Sequence, residues 1–152
     1  WGVKSLIATP LEPGRSIVGP AGVLLTRVLY RKRKLNKEFV VVDAAMNDLI
    51  RPALYRSHHD IIPVRKTDRP EIVADVVGPV CETGDFLARD RDMPDALPGD
   101  VLATAPAGAY GFVQRSTYNA RRRAADALLQ RDPRRVVRGR DTSHELIRGA
   151  PL

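Results

Sequence analysis

The amino-acid sequence predicts a mainly-β protein, built as a Greek-key-like barrel or sandwich. Twelve prolines and eleven glycines cut its 152 residues into short segments. Between these breaks lie runs of valine, isoleucine and leucine, with the length and composition of strands buried on both faces or nearly so. Helical signals, by contrast, are few.

Taken in order, the chain starts with an apolar stretch at residues 5–9, followed by Leu11-Glu12-Pro13-Gly14-Arg15. An apolar strand ending in a glycine-containing loop is how a parallel barrel delivers a ligand-binding residue. Residues 1–21 are therefore expected to be the last piece of another domain, and residues 22–152 a β-domain. The chain opens on Trp1 rather than methionine, so its own N-terminus is expected to lie further upstream. Strands are predicted at residues 22–30, 38–43, 60–64, 71–77, 100–103 and 111–115. Within the first, Leu24, Leu25 and Val28 also keep the spacing of a helix end. Gly78-Pro79 and Pro98-Gly99 read as turns. Residues 116–130 contain Ala-Ala-Asp-Ala-Leu-Leu, a helical pattern that is also open to a strand. Asp141-Thr-Ser-His-Glu145 opens like a capping segment, which predicts a short terminal helix running into Leu146 and Ile147.

Composition narrows the class. Hydrophobic residues make up 43% and charged residues 28%, as in a soluble globular domain. No apolar run approaches the roughly 20 residues of a membrane span. Cys81 is the single cysteine, which rules out an internal disulfide and a multi-cysteine zinc site and suits a reducing, cytoplasmic setting. The net charge is +7, and all but one unit of it falls from Arg115 onward. The body is nearly neutral and only the tail is basic.

Four segments carry candidate chemistry. In Glu12-Pro13-Gly14-Arg15, a glycine beside an arginine lets backbone N–H groups and a guanidinium approach one anion; a turn followed by a solvated arginine reads equally well. Arg51 and Tyr55 are four apart, so a helical turn would put a charge and a hydroxyl on one face; composition alone favours a surface arginine and a packed aromatic. Cys81 follows a predicted strand and precedes Glu82 within the turn-like stretch 78–85. A lone cysteine is more often a small buried hydrophobe, but a loop-borne thiol beside a carboxylate suits a proton donor, because an ordinary thiol of pKa about 8.5 is protonated at neutral pH. Tyr110 stands in Ala-Gly-Ala-Tyr-Gly, where small neighbours permit close approach of a ligand; a tyrosine at a hairpin turn reads as well. His58, His59 and His144 have no matching ligand set and read as structural or surface residues. No metal site is expected.

In order and spacing, these four segments resemble the C-terminal half of the diaminopimelate decarboxylases. These enzymes belong with the pyridoxal-phosphate-dependent ornithine and arginine decarboxylases. The resemblance runs from Leu11 through the tail; residues 39–55 and 81–85 are its specific part, and Glu-Pro-Gly-Arg is shared more widely. It implies a C-terminal β-domain preceded by the last strand of an alanine-racemase-like (β/α)8 barrel. It also implies conversion of meso-diaminopimelate to L-lysine and CO2 in lysine biosynthesis, with pyridoxal 5'-phosphate as cofactor.

By the same resemblance, Glu12, Pro13, Gly14 and Arg15 contact the cofactor phosphate, and Arg15 also touches substrate. Arg51 and Tyr55 hold the distal end of the substrate. Cys81 is the catalytic proton donor, Glu82 binds substrate, and Tyr110 contacts both cofactor and substrate. The family forms its sites at a homodimer interface, with the Cys81 and Glu82 positions reaching into the partner's site. A Cys-Glu pair, where ornithine enzymes resemble Cys-Asp, favours diaminopimelate over a simple diamine precursor.

The chain departs from the family in lacking the Schiff-base lysine and its upstream context. Alone, it is expected to be inactive. Arg122 also stands where the family usually has proline. The other readings are a sister decarboxylase of ornithine, arginine or a carboxylated polyamine; a basic module binding nucleic acid through the tail; and a β-domain that partners a complete decarboxylase. No stacking aromatics and no nucleic-acid motif accompany the arginines, so neither nucleic acid nor membrane is the expected partner.

Overall fold

The computed structural model describes residues 13–130 and 134–149. The predicted strand at 5–9 and Glu12 lie outside them. The fold is mainly β, as expected, around one six-stranded sheet.

A short helix, α1 (Gly14–Val18), leads through a 3-10 turn into β1 (Leu24–Lys34). The helical option for residues 23–28 is not taken. β1 turns at Leu35 and Asn36 into β2 (Lys37–Val42), antiparallel and paired from Lys34↔Lys37 back to Val28↔Val42. The strand therefore continues four residues past the apolar run. Its basic end pairs by backbone, while Arg31 bonds Glu38 and Asp95 on neighbouring segments.

β2 and β4 (Glu71–Val77) are parallel neighbours, and a parallel pair needs a long crossover. That crossover carries α2 (Arg51–Tyr55) and β3 (Asp60–Pro63). β5 (Phe86–Pro94) and β6 (Val101–Ala105) complete the order β3-β6-β1-β2-β4-β5. The two edges approach each other: Arg91 of β5 donates to the carbonyl of His59, just before β3, at 2.8 Å. The sheet is thus nearly closed into a barrel. Its core is filled by Val28, Val40, Val42, Leu49, Val76, Leu87, Met93 and Leu102, each 1% exposed or less. Each contributes about 1.5–3 kcal/mol by its burial.

β5 escapes the sequence pattern because Arg89, Asp90, Arg91 and Asp92 interrupt it. These charges lie on an edge strand, where they discourage pairing with another chain, and Asp90 takes a left-handed φ of 45° at a register shift in the ladder. Conversely, residues 111–115 are not a strand. The chain doubles back there: a Cβ on Gly111 would lie 2.3 Å from the Ala107 carbonyl oxygen, and Gln114 N–H bonds the Tyr110 carbonyl at 3.1 Å.

The tail forms a separate two-stranded ribbon of β7 (Asp126–Leu128) and β8 (Arg135–Arg138). Helical propensity over 116–130 loses to left-handed residues at Asn119 and Ala120 and to a bidentate pair. Arg115 grips both oxygens of Asp126, at 3.0 and 2.8 Å. The terminal helix is present as α3 (Ser143–Leu146), with a capping box between Thr142 and Glu145. Among the described residues, no helix is long and apolar enough to cross a membrane.

His59 gives the fold a pH dependence. The residue is 3% exposed; burial pushes its pKa down, and the charges of Arg51 and Arg91 push the same way. An unfolded histidine titrates near 6.5, so on acidification the unfolded chain takes up the proton first. The stabilising contribution of neutral His59 is full above that pH and is lost as pH falls through the folded value. Thermal melts between about pH 7 and 5 are expected to lose stability on acidification, with a shallower slope in His59→Gln. An identical slope in the variant would count against this role.

Candidate active site

α2 builds the first cluster. Pro52, buried at its first turn, has the φ a helix start needs, and Arg56 in the left-handed region ends the helix one turn later. The single turn places Arg51 and Tyr55 side by side, as their spacing predicts. The Arg51 guanidinium lies 5.7 Å from the Tyr55 ring centre and 5.2 Å from that of Tyr110. One guanidinium nitrogen donates to Ser57 Oγ at 3.2 Å. Two aromatic faces and a hydroxyl thus hold the fork, leaving the rest of its donors for a ligand.

Tyr110 itself has a φ of 67°, a left-handed backbone that costs a non-glycine residue roughly 1–2 kcal/mol. The loop before it is held in place by close backbone packing. Gly108 N–H bonds the Gly19 carbonyl at 3.0 Å and Ala107 N–H bonds that of Gly22 at 2.8 Å. A Cβ on Gly108 would sit 2.0 Å from the Val18 carbonyl oxygen, so only glycine fits. These contacts dock the α1 segment, with exposed Arg15, onto the Tyr110 loop.

The second cluster is the loop at 78–85. Asp85, only 4% exposed, accepts from Val80 N–H on one carboxylate oxygen and from Met46 N–H on the other, both at 2.7 Å. Burial raises its pKa, and these two bonds oppose the shift. A Cβ on Gly78 would come within 2.5 Å of that carboxylate. Asp85 therefore ties the loop to the segment leading into α2. At the loop's tip, Cys81 is exposed and free. Beside it, Glu82 accepts from Gly84 N–H at 3.2 Å and from the Tyr118 hydroxyl at 3.3 Å.

Among the described residues no hydrogen bond or ion pair joins the two clusters. The structure unites Arg51, Tyr55 and Tyr110 and sets Cys81 beside Glu82. Sequence reasoning missed Asp85, Asn47, Tyr118 and Arg121. Asp85 lies inside a segment already singled out, and its place directly after Gly84 in a turn-like stretch was the available signal. Arg121 looked like one more tail charge.

Comparison with known proteins identifies the family. Residues 16–125 match the family model described as pyridoxal-dependent decarboxylase, C-terminal sheet domain. A diaminopimelate decarboxylase of Pseudomonas aeruginosa is 57% identical over 93% of this chain and 34% of its own length. One from Aquifex aeolicus is 53% identical over 90% of this chain and 33% of its own. The crystal structure of diaminopimelate decarboxylase from Helicobacter pylori complexed with L-lysine superposes with a TM-score of 0.83 at 44% identity, covering 90% of this chain and 34% of that one. The chain thus spans about a third of the length of the curated relatives it matches.

Proposed function

Since the chain belongs to the pyridoxal-dependent decarboxylases, as their C-terminal sheet domain, we propose that it forms the C-terminal part of a decarboxylase acting on meso-diaminopimelate and releasing L-lysine and CO2. The observation that carries this reading is the Arg51 fork held between Tyr55 and Tyr110. It is a partly satisfied cation suited to a carboxylate far from the reacting carbon. Glu82 supplies the complementary anion for the ammonium group that shares the distal end of this substrate.

The residues present fit the cofactor's phosphate. Arg15 is exposed beside Gly14, where an added Cβ would meet nothing within 4 Å, so backbone and guanidinium are both accessible to an anion. Pro13, Gly14, Arg15 and Tyr110 would hold the group, with Glu12 completing the segment. When bound, it supplies an electron sink for the charge left as CO2 departs. The chain's own residues orient the substrate through Arg51, Tyr55, Arg15 and Glu82, and Cys81 hands a proton to the carbon that has lost its carboxylate.

We further propose a homodimer in which Cys81 and Glu82, exposed at a loop tip, complete the partner's site. We assign residues 1–21 to the end of a (β/α)8 barrel and 22–152 to the β-domain. The internal Schiff-base lysine would come from outside this chain, which alone would be inactive. A cytoplasmic setting suits its free thiol.

The test is substrate profiling of the complete decarboxylase containing this chain. Release of L-lysine from meso-diaminopimelate is expected, with ornithine and arginine poor substrates. Glu82→Asp is expected to cut kcat/KM for meso-diaminopimelate more than for ornithine. Preference for ornithine or arginine would shift the reading to a sister enzyme.

A further inference from the structure

Tyr118 lies outside the set of residues assigned above, yet its hydroxyl donates to Glu82 Oε2 at 3.3 Å. We infer that Tyr118 is a positioning residue for the Glu82 carboxylate, held in place by Arg121 and Asn47, and that it sets affinity for the substrate's distal ammonium group. The inference rests on the role proposed for Glu82.

Three observations carry it. First, Glu82 stands at an exposed loop tip, where a free carboxylate would sample several rotamers and lose entropy on binding. One oxygen is fixed by Gly84 N–H at 3.2 Å, and Tyr118 fixes the other. Each carboxylate oxygen has two lone pairs, so both keep acceptor capacity for an ammonium.

Second, Tyr118 is itself anchored. Its N–H donates to Ser116 Oγ at 3.3 Å, and Ser116 is tied to buried Asn47 in both directions: Ser116 N–H to the Asn47 carbonyl at 2.9 Å and Asn47 Nδ2 to the Ser116 carbonyl at 3.3 Å. Arg121 completes the anchor by donating to Asn47 Oδ1 at 2.9 Å and to the Asp43 carbonyl at 2.5 Å.

Third, Tyr118, Ser116, Met46, Asn47 and Ile50 line a small cavity of about 250 Å³. The ring, 49% exposed, stands beside this unfilled space, so packing does not fix the hydroxyl, and its direction rests on the bond to Glu82 and on the backbone anchor. The Glu82 charge raises the Tyr118 pKa, as expected when the phenol donates to a carboxylate.

The experiment uses the complete decarboxylase and five variants: Tyr118→Phe, Glu82→Gln, their double variant, Arg121→Ala, and Arg121→Ala combined with Tyr118→Phe. Tyr118→Phe removes one oxygen and preserves the ring. It is expected to raise KM for meso-diaminopimelate, and the inhibition constant for L-lysine, about 3- to 10-fold with kcat within about 2-fold. In the Glu82→Gln background the same change is expected to add nothing, because the two groups act as one unit. Arg121→Ala is expected to shift KM in the same direction, and to have no further effect on KM once Tyr118 is phenylalanine.

A purely structural role would alter thermal stability and kcat without this split. If Glu82→Gln raises KM but Tyr118→Phe leaves both constants unchanged, or if the two effects multiply independently, the positioning role is overturned and the function proposed for Glu82 stands. If Glu82→Gln leaves KM unchanged, the role of Glu82 fails and this inference fails with it.

Discussion

Arg51→Ala in the complete decarboxylase is expected to lower kcat/KM for meso-diaminopimelate by about 10²–10³-fold, through removal of a paired charge worth about 3–4 kcal/mol. The guanidinium is half-buried, and its face is covered by Tyr55 and Tyr110. A substrate carboxylate docked on it is shielded from water, and the loss of its partner leaves that charge uncompensated. Arg51→Lys keeps the charge but loses the planar fork and its stacking, so an intermediate loss is expected. Folding should be little affected: two cation–π contacts at a partly exposed site are worth about 0.5–1 kcal/mol each. Steady-state kinetics beside a thermal melt separates the two effects. An Arg51→Ala enzyme with wild-type kcat/KM would remove the distal-carboxylate assignment, whatever its melting temperature.

The fold was legible where apolar residues run on. Val40, Val41 and Val42 are all buried in β2, and a run without alternation is what a central strand with both faces covered requires. The signal failed where charge served structure. β5 carries four consecutive charged residues because it is an edge. The basic end of β1 extends its hairpin through backbone bonds that hydropathy does not register. The strand predicted at 111–115 failed for the opposite reason: its residues suit a strand, but the chain reverses there and offers no partner to pair with.

The tail shows the same limit. Its arginines read as a basic surface, yet much of that charge is spent internally. Arg115 and Arg138 both stack on Phe112, at 4.4 and 3.8 Å from the ring centre, and Arg115 pairs with Asp126. Arg123 binds Asp141 at 2.6 Å, and Arg121 locks the loop that carries Tyr118. For the candidate site, residue type and i, i+4 spacing foretold the Arg51–Tyr55 pair because a single helical turn decides it. The approach of Tyr110 to Arg51 and of Tyr118 to Glu82 spans 59 and 36 positions in the chain. Such contacts follow from the register of the sheet, which local patterns do not encode.

Cys81→Ala is the variant expected to act on chemistry rather than on binding. Loss of a positioned proton donor lowers kcat by about 10²–10⁴-fold. KM should change little, because neither substrate carboxylate nor ammonium is assigned to the thiol. Stability should hold as well, since the side chain is exposed and the loop's shape is fixed by Asp85 and Gly78. Cys81→Ser keeps a donor of higher pKa and is expected to fall between the two. The proton itself provides the sharper test. In D2O, delivery from a fixed loop residue labels the new methylene of lysine in one configuration, whereas delivery from water after Cys81→Ala gives a mixture. Retained configuration at reduced rate would point to another protein donor. Unchanged rate and configuration would exclude Cys81 from the transfer.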